Sequence, residues 1–390
     1  MANYAIGVNP QILRWAREKA GYSLEEVALS LKKDTQVIAS WESGEQPPTY
    51  GQLEKLAYSL YKRPIALFFF PEPPEELDPR DSFRTLPDSE FESLLPDTLH
   101  AIREAQATQM ALYELTGGRN PCERIIFRDL GLDPHEDAME SAQLVREYLG
   151  VSLQEQYSWK SAEQALEKWR EVVQDRGVFV LKRAMKQRDV SGFCLLDDEF
   201  PLIYLNNSTT KTRQLFSVFH ELAHILLGTA GLTKVDDRFV FRLVGTSRAV
   251  EVFCNRFSGE LLVPSDDFER RLVRDVPIED LVDRLADHYS VSREVILRKL
   301  LDGGIVDQAY YERMVQEWHQ SYRERRGTGT GGGNYYANQY AYLGQRYLEL
   351  AFGKYYEGAC SIHQLADYLN IKAKNVPAFE QFFLSRASVE

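Results

Sequence analysis

Cysteine is scarce in this chain: four residues, Cys122, Cys194, Cys254 and Cys360, lie far apart with no CxxC pair. Such spacing supports neither a disulfide framework nor a thiolate zinc cage, and all four thiols are expected to be buried. Long apolar runs are missing too. Ile65 to Phe70 is the longest candidate, far short of the ~20 residues that cross a bilayer, so no membrane partner is expected. The opening MANYAIGVNP has none of the charged start, apolar middle or small-residue cleavage site of a secretory signal, which points to the cytoplasm. There is no positive excess either. The net charge of −12 excludes a protein that coats nucleic acid through its global field. Residues 1–70 nevertheless carry 8 Lys+Arg against 7 Asp+Glu, so any DNA contact belongs to that end.

What is present is a globular composition, 44% hydrophobic and 27% charged, over 390 residues, enough for two or three domains with their own cores. From Pro10 to Phe70 the pattern is helical with short breaks. Ser23, Leu24 and Glu26 form a capping box that starts one helix; a turn through Lys32 and Lys33 leads to a second start at Asp34, and Gly44 ends that helix. Two short helices joined by a tight turn are a helix-turn-helix unit.

This segment resembles the helix-turn-helix of Xre/Cro-type phage repressors, whose I-x-x-W-E-x-G-x-x-x-P signature falls on Ile38, Trp41, Glu42, Gly44 and Pro48. The resemblance implies that the helix from Asp34 to Ser43 enters the major groove of double-stranded DNA. Thr35, Gln36, Ala39 and Ser40 would then face base edges, with Lys32 and Lys33 near phosphates. Glu42 and Glu45 are expected to oppose phosphate approach, which leaves a helical module without DNA affinity as the alternative.

Residues 71–99 are rich in proline and acid and read as a linker with partial order. Beyond it, DTLHAIREAQATQMALYELTG, DAMESAQLVREYLG and SAEQALEKWREVVQDRG are amphipathic helices, followed by two strand-like runs, GVFVLKRA and SGFCLLDDEFPLIYLNN, the second folding back near Asp197 and Asp198. A small sheet placed so is suited to presenting an extended peptide strand.

The run FHELAHILLG sets His220, Glu221 and His224 in apolar surroundings. Residues four apart share a helix face, so His220 and His224 can turn ring nitrogens toward one ion, while Glu221 is placed to act on a bound water. A buried core helix with incidental polar residues is the competing reading. A catalytic zinc needs a third protein ligand and an open position. EVFCNRFSGELLVP offers Glu251, 27 residues after His224, with Glu260 as a second acid that is expected to face elsewhere.

Taken together, RQLFSVFHELAHILLG and VEVFCNRFSGELLVP resemble the ImmA/IrrE family of metallopeptidases, with a strand ending in Asn, then HELxH, then E-x-x-A-N-x-F-A-x-x-L-L-x-P. The resemblance implies His220, His224 and Glu251 as ligands of Zn2+ and Glu221 as general base, taking a proton from water and passing it to the leaving amine. Cys254 and Ser258 stand where the family has Ala; both are small and packing-compatible, and Cys254 reads as a buried spacer, with a redox-sensitive or zinc-competing thiolate as the alternative. Asn255 is a candidate supporting hydrogen-bond partner.

IEDLVDRLADHYSVSREVILRKLLDGGIVD again reads helix, turn, helix, with Ser292 as N-cap; its Arg293, Arg298 and Lys299 have acids nearby, which favours a structural pack over a second DNA reader. The glycines of 327–333 fit no phosphate-binding motif and read as a connector, and Tyr335, Tyr336, Tyr340, Tyr342 and Tyr347 are expected to pack a terminal helical domain.

The expected fold is therefore mostly α and multidomain: an all-α helix-turn-helix domain (1–70), the linker (71–99), an α+β zincin-like metallopeptidase domain (100–270), a helical extension (271–326) and a Gly-linked Tyr-rich helical region (327–390). The resemblance implies a DNA-binding regulator fused to a zinc endopeptidase, latent until activated, that cleaves a repressor-like protein in stress, mobile-element, toxin-antitoxin or defence control. A homodimer is expected by analogy with paired half-sites. The alternatives are a catalytically silent autorepressor or antitoxin-like scaffold, and a repressor that cuts itself near 71–99.

Overall fold

The computed structural model describes residues 3–76, 78–83, 88–234, 240, 243–273, 276–326 and 334–387. The chain is mostly helical, with one small sheet, and divides into two compact units: 1–104 with 185–187, and 105–184 with 188–390.

In the first unit α1 (Pro10–Lys19), α2 (Leu24–Leu31) and α3 (Thr35–Ser43) close around Ile12, Leu13, Ala16, Val27, Ile38 and Trp41. The Ser23/Glu26 capping box forms, Lys32 takes the left-handed conformation at φ 54°, and Asp34 caps α3 by accepting from the Gln36 amide at 2.8 Å. Each signature position acquires a physical reason. Ile38, Trp41 and Pro48 are buried, and Gly44 ends α3 at φ 82°, a value that favours glycine. Glu42 departs from expectation. Its carboxylate is held bidentate by Arg17, Nε–Oε1 2.7 Å and Nη2–Oε2 3.0 Å, so it is neutralised inside the unit and does not face phosphates; Glu45 remains exposed.

The segment read as a linker holds the short helices Pro79–Ser82 and Asp88–Glu92 and the start of the helix Pro96–Thr116; residues 77 and 84–87 lie outside the described ones.

In the second unit the helices Ala138–Leu149 and Ala162–Gln174 precede β1 (Phe179–Arg183), β2 (Val190–Leu195) and β3 (Leu202–Asn206). A short β4 (Leu232–Lys234), absent from the sequence-based reading, completes the sheet in the order β1-β3-β2-β4. β1 pairs with β3 in parallel, whereas β2 pairs antiparallel with both β3 and β4. Nearly every strand residue is buried, which explains the continuous apolar runs in place of alternation.

On this sheet lies the helix Lys211–Leu226, capped by Thr210 and buried continuously from Gln214 to Leu226. Trp169 meets Phe219 edge-on at 4.8 Å, tying that helix to Ala162–Gln174. The helix Gly245–Leu262 returns against it through Phe253, Phe257, Leu261 and Leu262.

The helices Ile278–Tyr289 and Arg293–Asp302 pack into the same core through Leu281, Leu285, Tyr289, Ile296 and Leu300, and Ser292 caps the second. Arg293 pairs with Asp283 at 2.5 Å, Arg298 with Asp302 at 3.0 Å and Lys299 with Glu260 at 2.5 Å, so their cationic groups are engaged within the fold.

The terminal helices Tyr335–Leu343, Gln345–Tyr356, Ile362–Tyr368 and Val376–Ala387 enclose Tyr347, Leu348, Phe352, Leu365 and Phe379. Of the five tyrosines expected to pack there only Tyr347 is fully buried; Tyr336 stacks on Phe379 at 6.0 Å and Tyr335 is exposed. The glycines at 327–333 lie outside the described residues. No described helix is long and apolar enough to cross a membrane.

Candidate metal centre

His220 and His224 stand one turn apart on the buried helix, and their Nε2 atoms approach to 3.2 Å. From the return helix Glu251 reaches both: Oε2 lies 3.2 Å from His220 Nε2 and Oε1 lies 3.3 Å from His224 Nε2. Ligands at ~2.0–2.1 Å around a tetrahedral ion stand about 3.3 Å from one another, and each of these contacts, one to each Glu251 oxygen and one between the two rings, is of that length. Glu260 is committed elsewhere. It accepts from the Ser265 amide at 2.6 Å and hydroxyl at 2.7 Å and pairs with Lys299, which leaves Glu251 as the acid that meets the histidines.

His224 is oriented by its other nitrogen: Nδ1 stands 3.1 Å from Thr229 Oγ1, and that hydroxyl donates to the His224 carbonyl at 3.3 Å. With the Thr229 proton so used, Nδ1–H donates to Thr229 and Nε2 is the nitrogen turned toward Glu251 and His220. His220 Nδ1 is buried and has no hydrogen-bond partner among the described residues.

The charges of the pocket answer one another. Burial opposes protonation of His224, yet Cys254 and Glu251 raise it well above the usual histidine range. Against its own burial, Glu251 is held below the usual carboxylate range by His224 and His220. A carboxylate that draws a proton onto a buried imidazole is also the kind of negative group that suits a cation.

Glu221, 0% exposed, is anchored on one side only. Its Oε1 accepts from the Thr233 amide at 3.2 Å and from the Thr233 hydroxyl, both on β4, while Oε2 is buried without a partner. A buried carboxylate oxygen left unsatisfied is costly, and this one, which borders Gly231 with the His224 ring, is open to accept a proton from a small polar molecule.

Gly231 makes this geometry possible. A Cβ there would lie 2.4 Å from His224 Cδ2, 2.6 Å from His224 Cγ and 2.8 Å from Glu221 Oε2, so only glycine lets the backbone pass.

Sequence reasoning found His220, Glu221, His224 and Glu251, which the fold brings together. It missed Thr229, Gly231 and Thr233; the Gly-x-x-Gly spacing of Gly228 and Gly231 just after the histidines was the available signal. Cys254 and Cys194 are buried as expected, whereas Cys122 and Cys360 are half-buried. The Asn255 side chain has no hydrogen-bond partner among the described residues, and His135 and His363 are exposed.

In the first unit, Lys32, Lys33, Gln36 and Ala39 are exposed and Thr35 and Ser40 half-buried on or beside α3. The Ser40 hydroxyl is already used, donating to the Val37 carbonyl at 2.8 Å and accepting from Gln46 at 3.1 Å.

Comparison with family models agrees with both halves. Residues 173–301 match the IrrE N-terminal-like domain, and residues 13–57 match the helix-turn-helix model. No curated protein matches the chain. The protein thus joins an Xre-type helix-turn-helix to an IrrE/ImmA-like domain of a peptidase family, and the second match spans α2 and α3 while the first includes all four residues of the centre.

Proposed function

We propose that this protein is a zinc endopeptidase joined to a DNA reader, and that it cleaves a repressor-like protein. The observation that carries the reading is the convergence of the two Nε2 atoms and the Glu251 carboxylate, each contact at 3.2–3.3 Å, together with the partnerless Oε2 of the adjacent Glu221. His220, His224 and Glu251 would hold the ion. When bound, zinc lowers the pKa of a water and polarises a carbonyl. Glu221 Oε2 takes the proton from the attacking water and delivers it to the leaving amine. Thr233 fixes the other oxygen through this transfer, and Thr229 keeps His224 in the tautomer that ligates. A silent scaffold gains nothing from an unsatisfied buried carboxylate, so Glu221 favours the enzyme.

Elemental analysis tests the centre directly. About one zinc per chain, the stoichiometry of a mononuclear site, is expected in the wild type and in Glu221→Gln, and none in His220→Ala. Wild-type protein without zinc under metal-replete conditions would return the histidines to the status of core residues.

The DNA half of the proposal rests on the exposed face of α3. Gln36 and Ala39, with Thr35 and Ser40 at their sides, would meet base edges and Lys32 and Lys33 the phosphates. Lys33→Ala should weaken binding alike on all sequences and reduce the salt slope by about 1, whereas Gln36→Ala should change sequence preference. Titrations at several salt concentrations separate the two; an unchanged slope for Lys33→Ala removes it from the interface. Pairing of two chains over two half-sites and a cytoplasmic setting go with this reading.

A further inference from the structure

We infer that Cys254 Sγ is a fourth donor of the metal centre, closing it into a four-coordinate cage in the resting protein. The inference rests on the preceding reading that His220, His224 and Glu251 hold zinc, and it adds the regulation of that same site.

Cys254 follows Glu251 by three residues on the return helix, which puts both on one face. Its sulfur and one ring nitrogen each from His220 and His224 all lie within 4.8 Å of one another, and the residue is fully buried. With zinc–sulfur at ~2.3 Å and zinc–nitrogen at ~2.0–2.1 Å, the sulfur–nitrogen edge of a tetrahedron is about 3.6 Å. The thiol therefore has at most about 1 Å to travel, a shift that a small change of its χ1 covers. Glu221 Oε2, buried without a partner and bordering Gly231 together with the His224 ring, is an independent unsatisfied polar group in the same pocket.

The other buried thiol is engaged differently. Cys194 Sγ accepts from the Gly231 amide at 3.2 Å, and the Cys194 amide donates to the Gly231 carbonyl at 3.0 Å. That sulfur is held to the backbone that borders the site and also meets the Glu221 side chain.

Two imidazoles, one carboxylate and one thiolate fill four positions. Closed four-coordinate zinc sites are structural, whereas catalytic ones keep a position for water. As the sulfur–metal bond forms, the thiol proton passes to solvent. The resting protein is then latent, and Sγ has to leave before water can enter. Alanine, the residue of the family pattern at this position, satisfies the packing but offers no donor.

Cobalt(II) is the probe, loaded into the full chain. Wild type should show a sulfur-to-cobalt charge-transfer band in the near ultraviolet, and Cys254→Ala should lose it while still binding one cobalt. Equal loading with no band in either protein overturns the fourth donor and leaves the three-ligand peptidase standing. A band that survives in Cys254→Ala and vanishes in Cys194→Ala overturns it as well, by assigning the ligand to Cys194. Failure of wild type and variant alike to bind cobalt or zinc removes the centre itself. Should Cys254→Ala not fold, zinc-edge X-ray absorption of the wild type decides without a variant: one sulfur at about 2.3 Å supports the cage, and a nitrogen and oxygen shell alone refutes it.

Discussion

Glu221→Gln should retain the metal and lose cleavage by about 10²–10⁴-fold, the span a positioned general base contributes. Glutamine keeps the shape and can still accept at Oε1 from Thr233, so the helix, the two histidines and Glu251 have no reason to move. What it cannot do is take a proton at the atom that replaces Oε2, the oxygen left buried and without a partner. Cleavage of the partner protein, followed by mass spectrometry beside zinc content on the same samples, checks both halves. Undiminished cleavage with metal bound would move the base elsewhere; loss of metal would mean that Glu221 holds the site together and does not act on the substrate.

The second large effect lies outside the motif. Gly231→Ala should lower metal affinity at least about 10–100-fold, as loss of the groups that orient ligands does, and destabilise the fold by about 1–3 kcal/mol through overpacking. The added methyl would meet the His224 ring at 2.4 Å and Glu221 Oε2 at 2.8 Å. Neither side yields easily: Thr229 and Glu251 hold the ring, and Cys194 holds the Gly231 amide and carbonyl. Gly259→Ala is the control. It lies on the helix that carries Glu251, its Cβ would meet nothing within 4 Å, and it should leave the metal in place while gaining about 0.5–1 kcal/mol from helix propensity. Zinc titration with a competing chelator, alongside thermal unfolding, distinguishes the two; Gly231→Ala with wild-type affinity would show that the ring has room to shift.

What was legible in the sequence follows one physical line. The histidine pair, the capping box of Ser23 and Glu26 and the end of α3 at Gly44 are set by spacings of a few residues, and helical geometry turns such spacings into positions in space. Glu251 was reachable because its helix carries apolar residues at a packing period. β4 escaped because three residues are too few to show a period, and with it went Thr233 and the anchoring of Glu221. The Arg17–Glu42 pair joins residues 25 apart, so charge read along the chain gave Glu42 the wrong role. Likewise a tyrosine count could not separate Tyr347, which is buried, from Tyr335, which is exposed.

The anchoring of Glu221 has one more consequence. A single three-residue strand supplies both hydrogen bonds to its Oε1, and that strand pairs with β2 alone in the sheet order. Protein segments open locally at free energies well below that of global unfolding, and short end strands are among the first to do so. Detachment of β4 would withdraw both anchors from the carboxylate while the ligand helices stay folded. Amide hydrogen exchange at Thr233 would then report the fraction of molecules with a set base, a quantity that can be followed before any substrate is in hand.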